Sequence, residues 1–281
     1  MIELGKFNTL FSNRFTDNGM YLRDEEGNEV LLPNKYVPED MLIDDEIEVF
    51  VYNDSKDRPV ATTRKPKIFL NHFGVLKVKE VNAFGAFLDW GLEKDLLVPF
   101  REQKMDMVVG KSYLVYLYLD EKTDRLVATA KIRKHIETER ITVKVGEEVD
   151  LLVGETTDLG VNVIINNLHK GLIFKNLIHK PIRIGQRIKG YIKTIRADNK
   201  IDVILEKEGY KNIIEPNARK VMEELHFYNG FLDLNDKSDP TEISERLHMS
   251  KKTFKKAIGS LYKQRLIKIG ERGIKLMTSE Q

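Results

Sequence analysis

Cysteine is absent from the 281 residues, so a disulfide framework, a thiolate metal site and a cysteine nucleophile are all excluded. That fits a reducing, cytoplasmic setting. No apolar run approaches the roughly 20 residues a helix needs to cross a bilayer. The start, Met1-Ile2-Glu3-Leu4-Gly5-Lys6, carries no signal-peptide pattern, so neither a membrane nor export is expected. The six histidines (His72, His135, His169, His179, His226 and His248) are scattered, and no pair has metal-ligand spacing with a third ligand nearby. A phosphate-cradling glycine loop, a nucleophile elbow and a supported carboxylate pair are also missing. The expectation is a non-catalytic protein with no cofactor and no metal. A nuclease, or a nuclease accessory factor, stays open as an alternative.

What is present is concentrated in residues 73–130. Short alternating apolar runs there are separated by Gly, Asp and Lys turns, the pattern of several short antiparallel strands. Phe84 and Phe87 flank the turn glycine Gly85. Beyond it Ala86, Leu88 and Trp90 share one strand face, and Phe87 and Asp89 share the other. An aromatic on a polar face is a flat surface for a nucleotide base. The competing reading of Phe87 is packing against a neighbouring domain; that of Phe84 is an inward plug of the barrel end.

The same layout occurs three times. Gly85, Pro99, Gly110 and Arg125 are spaced 14, 11 and 15 residues apart; Gly19, Pro33, Asp44 and Pro59 repeat the spacing, as do Gly160, Phe174, Gly185 and Lys200. The fold expected is mainly β and multidomain: three tandem five-stranded barrels over 1–64, 65–136 and 143–207, then a different unit over 212–281. Barrels suit tandem strand-rich units because closure hides strand edges.

The copies differ on their outer faces. The Phe84 position is Asn18 in the first copy and Leu159 in the third; the Phe87 position is Tyr21 and then Asn162; the Asp120 position is Asp54 and then Ile195. Charge differs too. Residues 1–64 hold 7 Lys/Arg against 14 Asp/Glu, whereas 65–142, 143–208 and 209–281 carry +3, +2 and +4. Within 169–200, Lys170, Lys175, Lys180, Arg183, Arg187, Lys189, Lys193, Arg196 and Lys200 face one acid, Asp198. Such a run is the footprint of a phosphate backbone, or a solvated surface. The acidic first copy is a poor candidate for nucleic acid; whether it has a partner protein is left open.

From Gly209 the period changes. Ala218, Val221, Met222 and Leu225 mark an amphipathic helix; Asp239 and Pro240 open a second, with Glu242 placed to complete a capping box; Ser250 caps a third, running from 251 to about 265. Phe254, Ala257, Ile258, Leu261 and Tyr262 form its apolar stripe. Two short strands around Gly270-Glu271-Arg272-Gly273 follow as a hairpin. Helix, helix, turn, helix and hairpin make an α+β winged-helix pattern. Between 246 and 270 there are eight Lys/Arg and no acid, including Lys251, Lys252, Lys255, Lys256, Lys263 and Arg265. Such a face binds DNA, RNA or protein.

The central stretch resembles the S1 RNA-binding domain at Phe84, Gly85, Ala86, Phe87, Val98, Gly110, Asp120 and Arg125, which implies that the barrels are of the OB-fold (S1-type) class. It departs at Pro99, where many S1 domains carry a base-contacting His, and in a slightly longer loop between Asp120 and Arg125. The resemblance implies nucleic-acid contact by Phe84, Phe87, Asp120 and Arg125; the alternatives are that Asp120 caps its own loop and Arg125 pairs with it. Three S1-type barrels followed by a winged helix resemble the conserved virulence factor B (CvfB/YitL) family of bacteria. That implies cytoplasmic RNA binding and an effect on gene expression, including virulence factors, without catalysis; base stacking on Phe87 makes single-stranded RNA the expected ligand. DNA binding through the winged helix, as a transcriptional regulator, is the alternative.

Overall fold

The computed structural model describes residues 1–178, 181–206 and 216–277. His179 and Lys180, the latter part of the basic run, lie outside them. The chain divides into two units, Met1–Leu205 and Glu206–Gln281.

The first unit holds three five-stranded sheets. Strands β1 (Phe7–Thr16), β2 (Gly19–Arg23), β3 (Glu29–Pro33), β4 (Glu46–Asn53) and β5 (Pro59–Thr62) close in the order β1-β2-β3-β5-β4. Strands β11 (Glu148–Thr156), β12 (Gly160–Ile165), β13 (His169–Phe174), β14 (Arg187–Ile195) and β15 (Ile201–Ile204) close in the same way. Each closure uses one parallel pairing, Leu31 with Val60 and Gly171 with Ile201. Between them, β6 (Phe73–Asn82), β7 (Gly85–Asp89), β8 (Leu96–Pro99), β9 (Ser112–Asp120) and β10 (Arg125–Thr129) keep the same neighbours, but β8 and β10 share no ladder. The start of β10 is held from outside: Arg125 pairs with Asp57, and Leu126 lies against Gly5, both in the first barrel.

Two devices recur in every copy. The first strand carries a bulge, between Ser12 and Arg14, Val78 and Glu80, and Val153 and Thr156; a bulge bends a strand so that the sheet can curl. The repeat glycine opens the second strand opposite the next anchor: Gly19 faces Pro33, Gly85 faces Pro99, Gly160 faces Phe174. Their φ angles are +149°, +148° and +154°, and an added Cβ would stand 2.1, 2.3 and 2.0 Å from a carbonyl oxygen of the facing strand. Only glycine fits such a place.

The barrels do not hang on free linkers. Phe50 and Tyr52 of the first barrel share a core with Trp90, Leu88 and Val98 of the second, and the Phe50 ring meets Trp90 edge-on at 5.9 Å. Between the second and third, Phe73, Leu152 and Ile164 form a buried cluster. The Asn167 side chain accepts from Phe73 N (2.8 Å) and donates to Asn71 O (2.9 Å).

The second unit has helices α1 (Pro216–Phe227), α2 (Pro240–Leu247) and α3 (Lys251–Lys263) against a sheet of β16 (Phe231–Leu232), β17 (Ile267–Gly270) and β18 (Gly273–Leu276), ordered β16-β18-β17. Asp239 caps α2 through Thr241 N, and Ser250 caps α3 through Thr253 N. Glu242 faces Arg246 at 3.9 Å. Phe254, Ala257, Ile258 and Leu261 are buried, as their spacing requires, but Tyr262, at the edge of that stripe, is exposed.

Candidate nucleic-acid interface

On the second barrel Phe84 projects from the β6–β7 turn with 72% of its surface exposed, so it does not plug the barrel. Phe87 is half-buried between Glu80 on β6 and Leu97 on β8. Because Gly85 faces Pro99, the residues just outside that pair, Phe84 and the exposed Phe100, stand at the same end of the sheet. Phe100 was not singled out from the sequence, where it reads as the end of an apolar run. Asp120 caps its hairpin through Lys122 N (3.1 Å) and accepts weakly from Arg101 (3.4 Å). Arg125 does not pair with Asp120; it is engaged by Asp57, which Lys94 also reaches at 3.0 Å. These two cations keep the Asp57 carboxyl below the usual carboxylate range, the Lys94 hydrogen bond most of all.

On the first barrel the aromatic at the Phe87 position is covered. The Arg14 guanidinium lies over the Tyr21 ring at 3.9 Å and is tied to Glu29 at 3.3 and 2.8 Å. The pairing pushes Arg14 up and Glu29 down from their ordinary pKa values.

On the third barrel the same positions line a groove of about 860 Å³. Leu159, Asn162, Phe174, Arg196 and Lys200 come from the barrel, and Arg133, Ile136, Glu137 and Thr138 from the segment before it. Two features hold that segment in place. Buried His169 has Nε2 3.2 Å from Thr142 N–H, which it must accept, so Nδ1 carries the proton and donates to Glu137 O at 2.9 Å. Asn199 Nδ2 donates to Thr138 O at 2.9 Å.

Inside the groove Arg196 sits 5.5 Å over the Phe174 ring and is clamped on Asp202 at 3.1 and 2.8 Å. A two-point carboxylate grip fixes a guanidinium plane as well as its charge. Its charge is largely answered by Asp202, and its plane is held over the ring. Lys200 pairs with Asp198 at 2.7 Å, both well exposed; an exposed pair is worth only about 0–1 kcal/mol, so Lys200 can exchange partners cheaply. Lys170, also lining the groove, has no ion-pair partner among the described residues.

The basic run 169–200 is thus divided and is not one stripe. Lys170, Arg196 and Lys200 serve the groove. Lys189 pairs with Asp150 at 2.9 Å on the β11–β14 side, and Arg187 donates to Phe73 O of the second barrel at 3.1 Å. Lys175 and Arg183 are exposed without an ion-pair partner among the described residues, and Lys193 is half-buried on β14. Phe174 was missed because it occupies the Pro99 anchor; an aromatic in that slot was the available signal.

In the second unit Lys252, Lys255, Lys256 and Lys263 line the exposed face of α3, and Arg265 follows it in a left-handed conformation (φ 57°). Lys251 is half-buried, its Nζ 3.3 Å from Lys237 O. Arg246 is engaged by Asp233 and lies over Tyr228 at 5.4 Å. No helix among the described residues is long and apolar enough to cross a membrane.

Comparison with known proteins agrees with this architecture. An S1 domain model matches residues 4–64 and 73–131, and a CvfB-like winged helix domain model matches 219–276. The third barrel repeats the strand order and glycine register of the first. The chain is 30% identical to the Bacillus subtilis protein YitL over 91% of its own length and 87% of that protein's. It is 24% identical to conserved virulence factor B of Staphylococcus saprophyticus, over 88% and 86%. A Streptococcus pneumoniae crystal structure described as a multidomain protein with nucleic acid binding domains aligns over 98% of both chains, at 23% identity and a TM-score of 0.43. With S1 domains, a winged helix of this particular type and a 30%-identical relative spanning most of its length, the chain belongs to the conserved virulence factor B (CvfB/YitL) family.

Proposed function

We propose that the protein is a non-catalytic RNA-binding protein of the bacterial cytoplasm. It holds single-stranded RNA by base stacking and phosphate contacts, and so regulates gene expression, including that of virulence factors in pathogens. The observation that carries this reading is the third-barrel groove, which joins a Phe174–Arg196 platform to the barrel's own cations Lys170 and Lys200. A platform recessed in a groove is reachable by an unpaired base and not by a stacked pair in a duplex. Phe84 and Phe87 extend the stacking surface on the second barrel, and the α3 lysines supply further phosphate contacts. Each stacked base is worth about 1–3 kcal/mol. Each neutralised phosphate steepens the salt dependence of binding by about 0.7.

A second reading, duplex DNA binding through α3, is favoured by one feature: exposed Lys252, Lys255 and Lys263 on a capped helix, in the position of a recognition helix. Competition on the full chain between a labelled single-stranded RNA of about 20 nucleotides and unlabelled duplex DNA separates the two. The RNA reading expects an excess of duplex to displace little of the label. Ready displacement by duplex selects the DNA reading.

A further inference from the structure

We infer that the segment joining the second and third barrels is a wall of the binding site, and that the cleft beneath it carries the phosphate backbone of a single strand from one barrel to the next. The inference rests on the single-strand reading above and adds a site that the repeated barrel face does not contain. A cleft of about 480 Å³ lies between the barrels, bounded by Leu114 of β9, by Asn162, Val163 and Ile164 of β12, and by residues 130–136. Five cations line it, Lys104, Lys131, Arg133, Lys134 and Lys170, against one acid, Glu155. That acid sits 3.8 Å from Lys104 in a well-exposed pair, the kind that contributes little. Lys131 Nζ is held on Arg101 O at 2.5 Å. Arg133, Lys134 and Lys170 are exposed and have no ion-pair partner among the described residues.

The cations are placed by the fold. Residues Ile132–His135 form a 3₁₀ turn, and the His135 ring stacks on Tyr116 of β9 at 4.0 Å, fixing that turn against the second barrel. Gathering unanswered like charges on a rigid wall raises the local potential and attracts an anion. The anion is a chain and not a small ion, because the cleft runs into the third-barrel groove: Arg133, Ile136, Asn162 and Lys170 line both. A polyanion whose bases reach the Phe174–Arg196 platform passes its phosphates along Arg133 and Lys134.

The test is a salt titration of full-length protein with a labelled single-stranded RNA of about 20 nucleotides, comparing wild type with Arg133→Gln/Lys134→Gln. Both side chains are exposed, so the melting temperature is expected to hold. Binding is expected to weaken about tenfold, with a salt slope shallower by about 1.4, or about 0.7 for each cation removed. Arg133→Lys/Lys134→Arg is expected to restore the slope. An unchanged affinity and slope in the Gln variant, with wild type binding normally, overturns the inference and leaves the RNA reading intact. Failure of wild type to bind at all overturns both.

Discussion

The first and third barrels put nearly the same backbone under two different surfaces. Both close through one parallel pair, both bulge their first strand, and both open the second strand with a glycine pressed against a carbonyl. At the outward aromatic position, however, the first has Tyr21 under an Arg14–Glu29 pair, in a barrel of net charge −7. The third has Asn162 there, which leaves a groove open to Phe174, and cations around it. Inward residues and tight turns decide the fold. The few outward residues at the same register decide whether a base has somewhere to stack, and a fold-level match cannot rank the copies.

The comparison can be broken most severely by charge. Lys170→Glu with Lys200→Glu in the third barrel is expected to lower affinity for single-stranded RNA by about a hundredfold and to flatten its salt slope by at least about 1.4. Reversing Lys6 and Lys35 in the first barrel is expected to change neither. Equal losses from both pairs, read by fluorescence anisotropy, would remove the distinction between the barrels. Next come the glycines. Gly19→Ala and Gly160→Ala are each expected to destabilise their barrel by more than the roughly 1–3 kcal/mol of an unfavourable positive φ, since the added Cβ also meets a backbone carbonyl oxygen of the facing strand. Denaturant unfolding checks this, and a large difference between the two would mean that the barrels share less than their register.

Stacking sharpens the same contrast. Phe87→Ala is expected to weaken RNA binding by about 1–3 kcal/mol without altering the salt slope, because it removes a ring and no charge. Tyr21→Ala is expected to leave RNA affinity alone, because its ring lies only 3.9 Å beneath Arg14 and its barrel is acidic, so that phosphates are not drawn to it. The smallest effect concerns the seam between the second and third barrels. Burial holds the His135 pKa below its ordinary 6.5. A depressed folded-state value means that its contribution to stability is complete above pH 6.5 and is lost as pH falls through the folded value. The wild-type melting temperature should therefore drop between pH 7.5 and pH 5 more than that of His135→Phe; parallel pH profiles would contradict this.

Much of the fold was legible because it depends on local rules. A glycine that must approach a carbonyl cannot drift, so the spacings of 14, 11 and 15 residues counted from Gly19, Gly85 and Gly160 match in all three copies without any gap. The switch from period 2 to period 3.6 marks the second unit. What escaped were features made by contacts between barrels. Nothing beside Arg125 in sequence points to Asp57, 68 residues away. Residues 131–135 read only as the end of the second barrel until Tyr116 is seen beneath His135. The strand β16, two residues long, leaves no alternation to count. Phe174 was hidden by its own alignment, because matching it to Pro99 emphasised its place in the repeat over its ring.

The most direct measurement is amide hydrogen exchange on the full chain, with and without a single-stranded RNA of about 20 nucleotides. The account predicts protection in β12 and β13, in the hairpin around Asn199 and in residues 131–141, with β2 and β3 of the first barrel unchanged. Protection that falls on the first barrel, or that leaves the third-barrel groove untouched while RNA is bound, would contradict it.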